Sequence, residues 1–207
     1  MSMIVLTAGQ FGIRVGQRLA QLCDAEAVPL PQEREHLELL IQRADFVAVA
    51  TWRPYVQSCT LIDDLCFRFG VRWSLAEIHA QRLTCGPLVN PGNGACYQCY
   101  RKRWLTHHKS PEREQVLNEA YERDSALGPT GSIGPLVEVA AQALADDAVA
   151  ADGEAGRLRL VDVLSGAVLK SGVMGIHECP RCRPAKPART GERFVQHMVP
   201  EIERMLG

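Results

Sequence analysis

Gly86-Pro87-Leu88-Val89-Asn90-Pro91-Gly92-Asn93-Gly94-Ala95-Cys96-Tyr97-Gln98-Cys99-Tyr100 ends in a C-x-x-C pair, and His177-Glu178-Cys179-Pro180-Arg181-Cys182 carries a second pair far downstream. A two-residue spacer lets one turn of chain present two sulfurs to one ion. Two such pairs supply the four thiolates of a closed tetrahedral zinc site, with Zn–S bonds of roughly 2.3 Å. Cys96, Cys99, Cys179 and Cys182 are therefore read as the ligands of one structural Zn²⁺. A catalytic zinc would keep an open position and use histidine or carboxylate. The pairs lie too far apart for a compact zinc ribbon and suit two segments of one fold clamped together. His177, beside the second pair, is read as a strand residue or as a group supporting the ligands.

The chain has 207 residues, 46% hydrophobic and 23% charged, which suits one globular domain or one domain with a small appendage. The expected division is an α/β domain over 1–183, holding the zinc knot at 96–99 and 179–182, followed by a linker and C-terminal helix over 184–207. A net charge of −1 gives no electrostatic ground for nucleic acid or an anionic membrane as partner. No apolar run reaches the roughly 20 residues of a membrane span. Met1-Ser2-Met3-Ile4-Val5-Leu6-Thr7 lacks the basic segment and long apolar core of a signal peptide, so a cytoplasmic location is expected. Eight cysteines in a long chain without such a leader favour metal ligation over a disulfide framework. Cys23, Cys59 and Cys66 fall on apolar helical faces and Cys85 beside a turn. None has an evident base in sequence, and packing is their reading.

Met3 to Thr7 reads as a buried strand, and Gly9, Gly12 and Gly16 lead into Ile13, Val15, Leu19 and Leu22 at helical spacing. Strand, glycine turn and helix open a nucleotide-binding βαβ unit, but G-x-x-G-x-x-x-G is not G-x-G-x-x-G. Close packing of helix on sheet accounts for the same glycines, which leaves nucleotide binding at Gly9 to Gly16 open. Pro29 and Pro31 flank a turn, 32–43 reads as an amphipathic helix, 46–50 as a second buried strand and 55–69 as a helix. Trp73, Leu75 and 78–83 indicate one or two strands, and the alternation predicts a parallel α/β sheet. Arg101, Lys102 and Arg103 form a solvated face or a docking surface for an acidic partner. Ser110-Pro111 starts a helix ending near Gly128-Pro129, and Ile133, Val137, Ala141 and Leu144 mark another. The acidic stretch 146–156 reads as a loop, and 158–163 with 168–173 as a β-hairpin about Ser165-Gly166. Phe194, Val195, Met198, Val199 and Ile202 form an apolar stripe on a terminal helix, which would pack on its own domain or pair two copies as a homodimer.

The order strand–glycine turn–helix, Ala44-Asp45-Phe46-Val47, Gly86-Pro87 … Pro91-Gly92 … Cys96-x-x-Cys99 … Arg103, Gly131 to Leu144, the hairpin and Cys179-Pro180-x-Cys182 resembles the ThiF/MoeB ubiquitin-activating-like superfamily. Within it the chain is similar to the cyclodehydratase partner proteins of thiazole/oxazole-modified peptide (bacteriocin) biosynthesis, the relatives of McbB and of the bacteriocin ThiF-like proteins. The resemblance implies an α/β fold, a truncated Rossmann-like ThiF-type sheet with helices, closed by the four-cysteine zinc knot and a C-terminal β-hairpin. Adenylating members bind ATP–Mg²⁺ and activate a C-terminus. Here the glycine turn is degenerate, and the stretch before Phe46 is too short for the strand and acidic, arginine-containing segment that hold ATP. Where a T-D-N motif would supply the magnesium aspartate, the chain has Thr51-Trp52-Arg53, and an indole cannot replace an oxygen ligand. No catalytic and no cofactor-binding residue is therefore assigned beyond the four cysteines.

The resemblance implies a non-adenylating scaffold or partner subunit of an azoline-forming cyclodehydratase complex in RiPP biosynthesis, not an enzyme by itself. Its expected partners are a precursor peptide and a YcaO cyclodehydratase, which phosphorylates the backbone amide as a Cys, Ser or Thr side chain cyclises. With no winged-helix segment ahead of the first strand, the expectation is either a separate leader-peptide-recognition protein or a chain that serves mainly as scaffold. The alternative is an ATP-dependent ThiF-like adenylyltransferase acting on a peptide or carrier-protein C-terminus. A zinc-ribbon nucleic-acid binder is disfavoured by the near-neutral charge and the wide separation of the pairs.

Overall fold

The computed structural model describes residues 2–30, 32–124, 126–128, 131–183 and 204. The linker and terminal helix expected over 184–207 lie outside these residues, Arg204 excepted. Strand β1 (Met3–Ala8) is buried at every position, because it lies mid-sheet with helices on both faces; a strand so placed shows a continuous apolar run instead of alternation. It pairs in parallel with β2 (Ala25–Pro29) and β3 (Phe46–Thr51). The connecting helices are α1 (Gly9–Leu22) and α2 (Arg34–Gln42). Helix α3 (Val56–Phe69) leads to β4 (Arg72–His79), which pairs in parallel with β3.

From there the sheet changes character. Strand β5 (Arg82–Cys85) folds straight back on β4, then β6 (Arg157–Asp162) pairs antiparallel with β5 and β7 (Val168–Gly172) with β6. The order is β2-β1-β3-β4-β5-β6-β7. The parallel sheet expected from the sequence is thus half of a mixed one. Only Ala80 and Gln81 join β4 to β5, and so short a link can form a hairpin but no crossover. Between β5 and β6 run α4 (Tyr97–His107), α5 (Pro111–Arg123) and α6 (Gly134–Ala148). Helices α1 and α6 pack together on one face, and α2 packs against α3 on the other.

Close packing explains two of the early glycines. A Cβ on Gly12 would lie 2.2 Å from the Ala50 carbonyl oxygen, and one on Gly16 2.9 Å from Thr7 Cγ2. Three other expectations are corrected. The stretch before Phe46 does hold a strand: β2 is an exposed edge with Val28 as its one buried residue, so no apolar run betrays it. The acidic stretch 146–156 begins inside α6, not in a loop, and Asp147 is fully buried. It accepts hydrogen bonds from Ser74 Oγ (2.6 Å), Arg157 Nη2 (2.6 Å) and Arg159 Nη1 (3.0 Å). Helix α5 stops at Arg123, short of Gly128, and Ser110 stands at its N-cap position without a side-chain capping bond. Among the described residues no helix is long and apolar enough to cross a membrane.

Candidate metal centre and the neighbouring sheet edge

Cys96 precedes the first turn of α4 and Cys99 lies within it, so the helix geometry points both thiols to one side. The turn at 179–183, closed by the Arg183 N–H to the Cys179 carbonyl (2.9 Å), brings up the second pair. The four sulfurs lie within 4.8 Å of one another. Cys96 and Cys99 are 3.8 Å apart, Cys96 and Cys179 3.7 Å, and Cys99 and Cys182 3.5 Å. A tetrahedron with 2.3 Å Zn–S bonds has edges of about 3.8 Å, so the spacing fits a four-coordinate ion. It excludes disulfides, which need sulfurs about 2.05 Å apart. Burial alone would push the Cys179 thiol up, but the N–H groups of Cys182 and Arg181, with the neighbouring thiols, bring it down to about 7. The Ile176 N–H donates to Cys99 Sγ at 3.4 Å. His177 does not join the cluster: it is 92% exposed in the approach to the second pair, outside any strand.

Arg181, between the second pair of cysteines, fastens the knot to α3. Its Nε stands 3.6 Å from Asp63 Oδ2, another nitrogen pairs with Asp64, and the guanidinium lies over the Phe67 ring. Asp63 is 1% exposed and also accepts from Trp73 Nε1 at 3.2 Å. Burial raises its pKa, and Arg181 opposes the rise. Arg103 donates to the carbonyls of Met174 (2.6 Å) and Gly175 (3.3 Å), holding the approach to the second pair. The three cations of α4 are thus not one solvated face: Arg103 is bound, Arg101 stacks on Trp104 at 5.1 Å, and Lys102 is exposed. Cys59, Cys66 and Cys85 are fully buried, and burial pushes the Cys85 thiol up to about 12.

At the C-terminal ends of β1 and β3 lies the crevice where such sheets hold phosphates, at the N-terminus of the first helix. Here Gly9 opens α1 with φ +68°, and the Trp52 ring rests on it. A Cβ at Gly9 would lie 2.3 Å from Trp52 Cδ1. Trp52 is 9% exposed, and its indole N–H donates to the Tyr55 hydroxyl at 3.3 Å. Arg53, 2% exposed, is surrounded by the rings of Tyr121 (4.6 Å), Tyr55 (4.8 Å) and Trp52 (5.5 Å). These π faces replace the water a buried guanidinium loses. A phosphate approaching α1 would have to displace the indole.

Beside this edge, between α3, α4 and α5, is a cleft of about 570 Å³ lined by Gln57, Gln98, Arg101, Lys102, Asn118 and Glu119 among others. Behind Arg101 sits Glu77, 6% exposed. Burial pushes its carboxyl up to about 7, Arg101 opposing and Glu114 adding to the rise. Sequence reasoning missed Arg181, Asp63, Glu77 and Glu114. Asp63 falls among Ile62, Leu65 and Cys66 on the inward face of α3, and that inward acid was the one available signal.

No family model and no curated protein matches the sequence. Solved structures do share the fold. The heterocyclase TruD matches with a TM-score of 0.61 and 16% identity, over 95% of this chain and 31% of that one. E. coli MccB matches with a TM-score of 0.59 and 14% identity, over 91% of this chain and 66% of that one. The microcin C7 biosynthetic enzyme MccB in complex with N-formylated MccA gives 0.60 and 15%, over 87% and 67%. This chain spans only 31% of the length of TruD. Likeness at such identity concerns the fold, and the mixed α/β fold of this chain is one that the heterocyclase TruD and MccB also have.

Proposed function

We propose that the chain is a zinc-stabilised, non-adenylating scaffold or partner subunit of an azoline-forming complex in RiPP biosynthesis, binding a precursor peptide and docking a YcaO cyclodehydratase. The observation that carries this reading is Trp52. Its indole lies against Gly9, where a phosphate at that turn would sit, and by the resemblance it stands where adenylating relatives carry the magnesium-binding aspartate. The fold likeness to a heterocyclase and to an enzyme of microcin biosynthesis supports the pathway class.

Zn²⁺ is the proposed ion because four thiolates at tetrahedral spacing suit it, and no open position remains for substrate. The ion would hold α4 to the turn at 179–183 and leave the chemistry to a partner. The cleft between α3, α4 and α5 is the proposed peptide site. Gln57, Gln98, Gln115 and Asn118 each offer a donor and an acceptor, as a backbone amide does. A second reading, an ATP-dependent adenylyltransferase, draws on the likeness to E. coli MccB, which has been solved with ATP. It requires Trp52 to leave the glycine turn. Incubating the purified chain with Mg-ATP and peptide and measuring AMP and pyrophosphate separates the two: none is expected, and robust release by this chain alone would overturn the leading reading.

A further inference from the structure

Helix α5 buries no apolar side chain fully; Leu117, Ala120 and Tyr121 are half-buried. Its two buried residues, Glu114 and Asn118, are both polar, and its Val116 is 62% exposed. The Glu114 carboxylate, 4% exposed, stands 3.4 Å from His79 Nε2 at the end of β4 and 4.0 Å from His108 Nε2 in the turn before α5. Among the described residues Glu114 Oε1, Asn118 Oδ1 and Arg101 Nε have no hydrogen-bond partner. Trp104 stacks on His108 (4.5 Å) and meets His79 edge-on (5.7 Å), so the two imidazoles are braced from α4. Two further contacts of α5 are a cation–π pair and a hydrogen bond. Tyr121 lies against the Arg53 guanidinium, and Glu122 Oε1 accepts the Gln57 N–H at 3.1 Å, across the mouth of the cleft.

A metal ion does not account for the His79–Glu114–His108 cluster. His108 Nδ1 accepts the Ser110 N–H (3.3 Å), which puts the proton of the neutral ring on Nε2, facing Glu114. A ligating imidazole needs the opposite arrangement, with its far nitrogen donating. The cluster is built as a set of weak polar contacts around one carboxylate, and such contacts can part without exposing an apolar core.

We propose that α5 is a lid over the α3–α4–α5 cleft, seated by the insertion of Glu114 between His79 and His108 and able to lift as a unit. What enters the opened cleft rests on the peptide reading above, whereas the lid itself does not depend on it. Native-state hydrogen exchange of the full chain tests it. The amides of α5 are expected to exchange at least about 100-fold faster than those of β1 and β3, through local opening. Glu114→Ala should speed α5 at least about tenfold more while leaving β3 and α6 unchanged. Glu114→Gln, which keeps the shape of the side chain, is expected to fall between the two and serves if the alanine variant does not fold. Amides of α5 as protected as those of β3, or an acceleration shared by every element, would overturn the proposal. So would unchanged α5 exchange in the variants.

Discussion

On the proposed reading each thiol of the knot is required, because one ion would hold α4 to the turn at 179–183. Removing one ligand opens the tetrahedron, and metal affinity and fold stability fall together. Cys96→Ser is expected to lower the metal content from about one ion per chain to well below one and to cost about 3 kcal/mol or more in denaturant unfolding. Unchanged metal content and stability would contradict the proposed role. Glu77 bears on pH. Its folded pKa, about 7, lies above the ordinary 4.5 because the carboxyl is buried. The stability linked to its proton is therefore present below pH 4.5 and lost as pH rises through 7. Glu77→Gln should leave stability near pH 4.5 little changed and raise it at pH 8.5 by up to about 3 kcal/mol. Urea unfolding of both proteins at the two pH values is the check; an equal difference at both would refute the assignment.

Among the elements, α6 depends on a buried charge. Asp147, near its end, gathers Ser74 from β4 with Arg157 and Arg159 from β6. Taking away one partner of such a cluster strands the others in low dielectric. Asp147→Asn is expected to cost about 3–5 kcal/mol, measurable as a lowered urea midpoint at unchanged slope. Legibility in the sequence followed burial. The apolar runs of β1 and β3 and the helical spacing of α3 and α6 were plain, because residues packed from both sides must be apolar. Strand β2 was hidden, since an exposed edge carries one inward residue, Val28. The reversal at β4 was hidden too, because it depends on the shortness of the Ala80–Gln81 link. Helix α5 has no fully buried apolar residue to fix its seat. The cysteine cluster could be read across any length of chain, since ligands of one ion must meet. The pairing of Arg181 with Asp63, or of Glu114 with His79, has no such sequence rule.

For the molecule as a whole, the two ends of the parallel strands beside α1 and the cysteine knot play different parts. The cysteine cluster gathers chain segments distant in sequence, and Arg181 joins the second of them to α3. At the glycine turn the Trp52 ring rests on Gly9. On the reading proposed above, the fold is retained for its surface and its framework, and the ATP-dependent step belongs to a partner. The most direct measurement is pyrophosphate and AMP release from the purified chain with Mg-ATP and the precursor peptide, run with and without the YcaO protein. The account predicts no release and no peptide adenylate from this chain alone, and heterocycle formation with loss of water only when the YcaO protein is present. Peptide adenylation by this chain alone would contradict it.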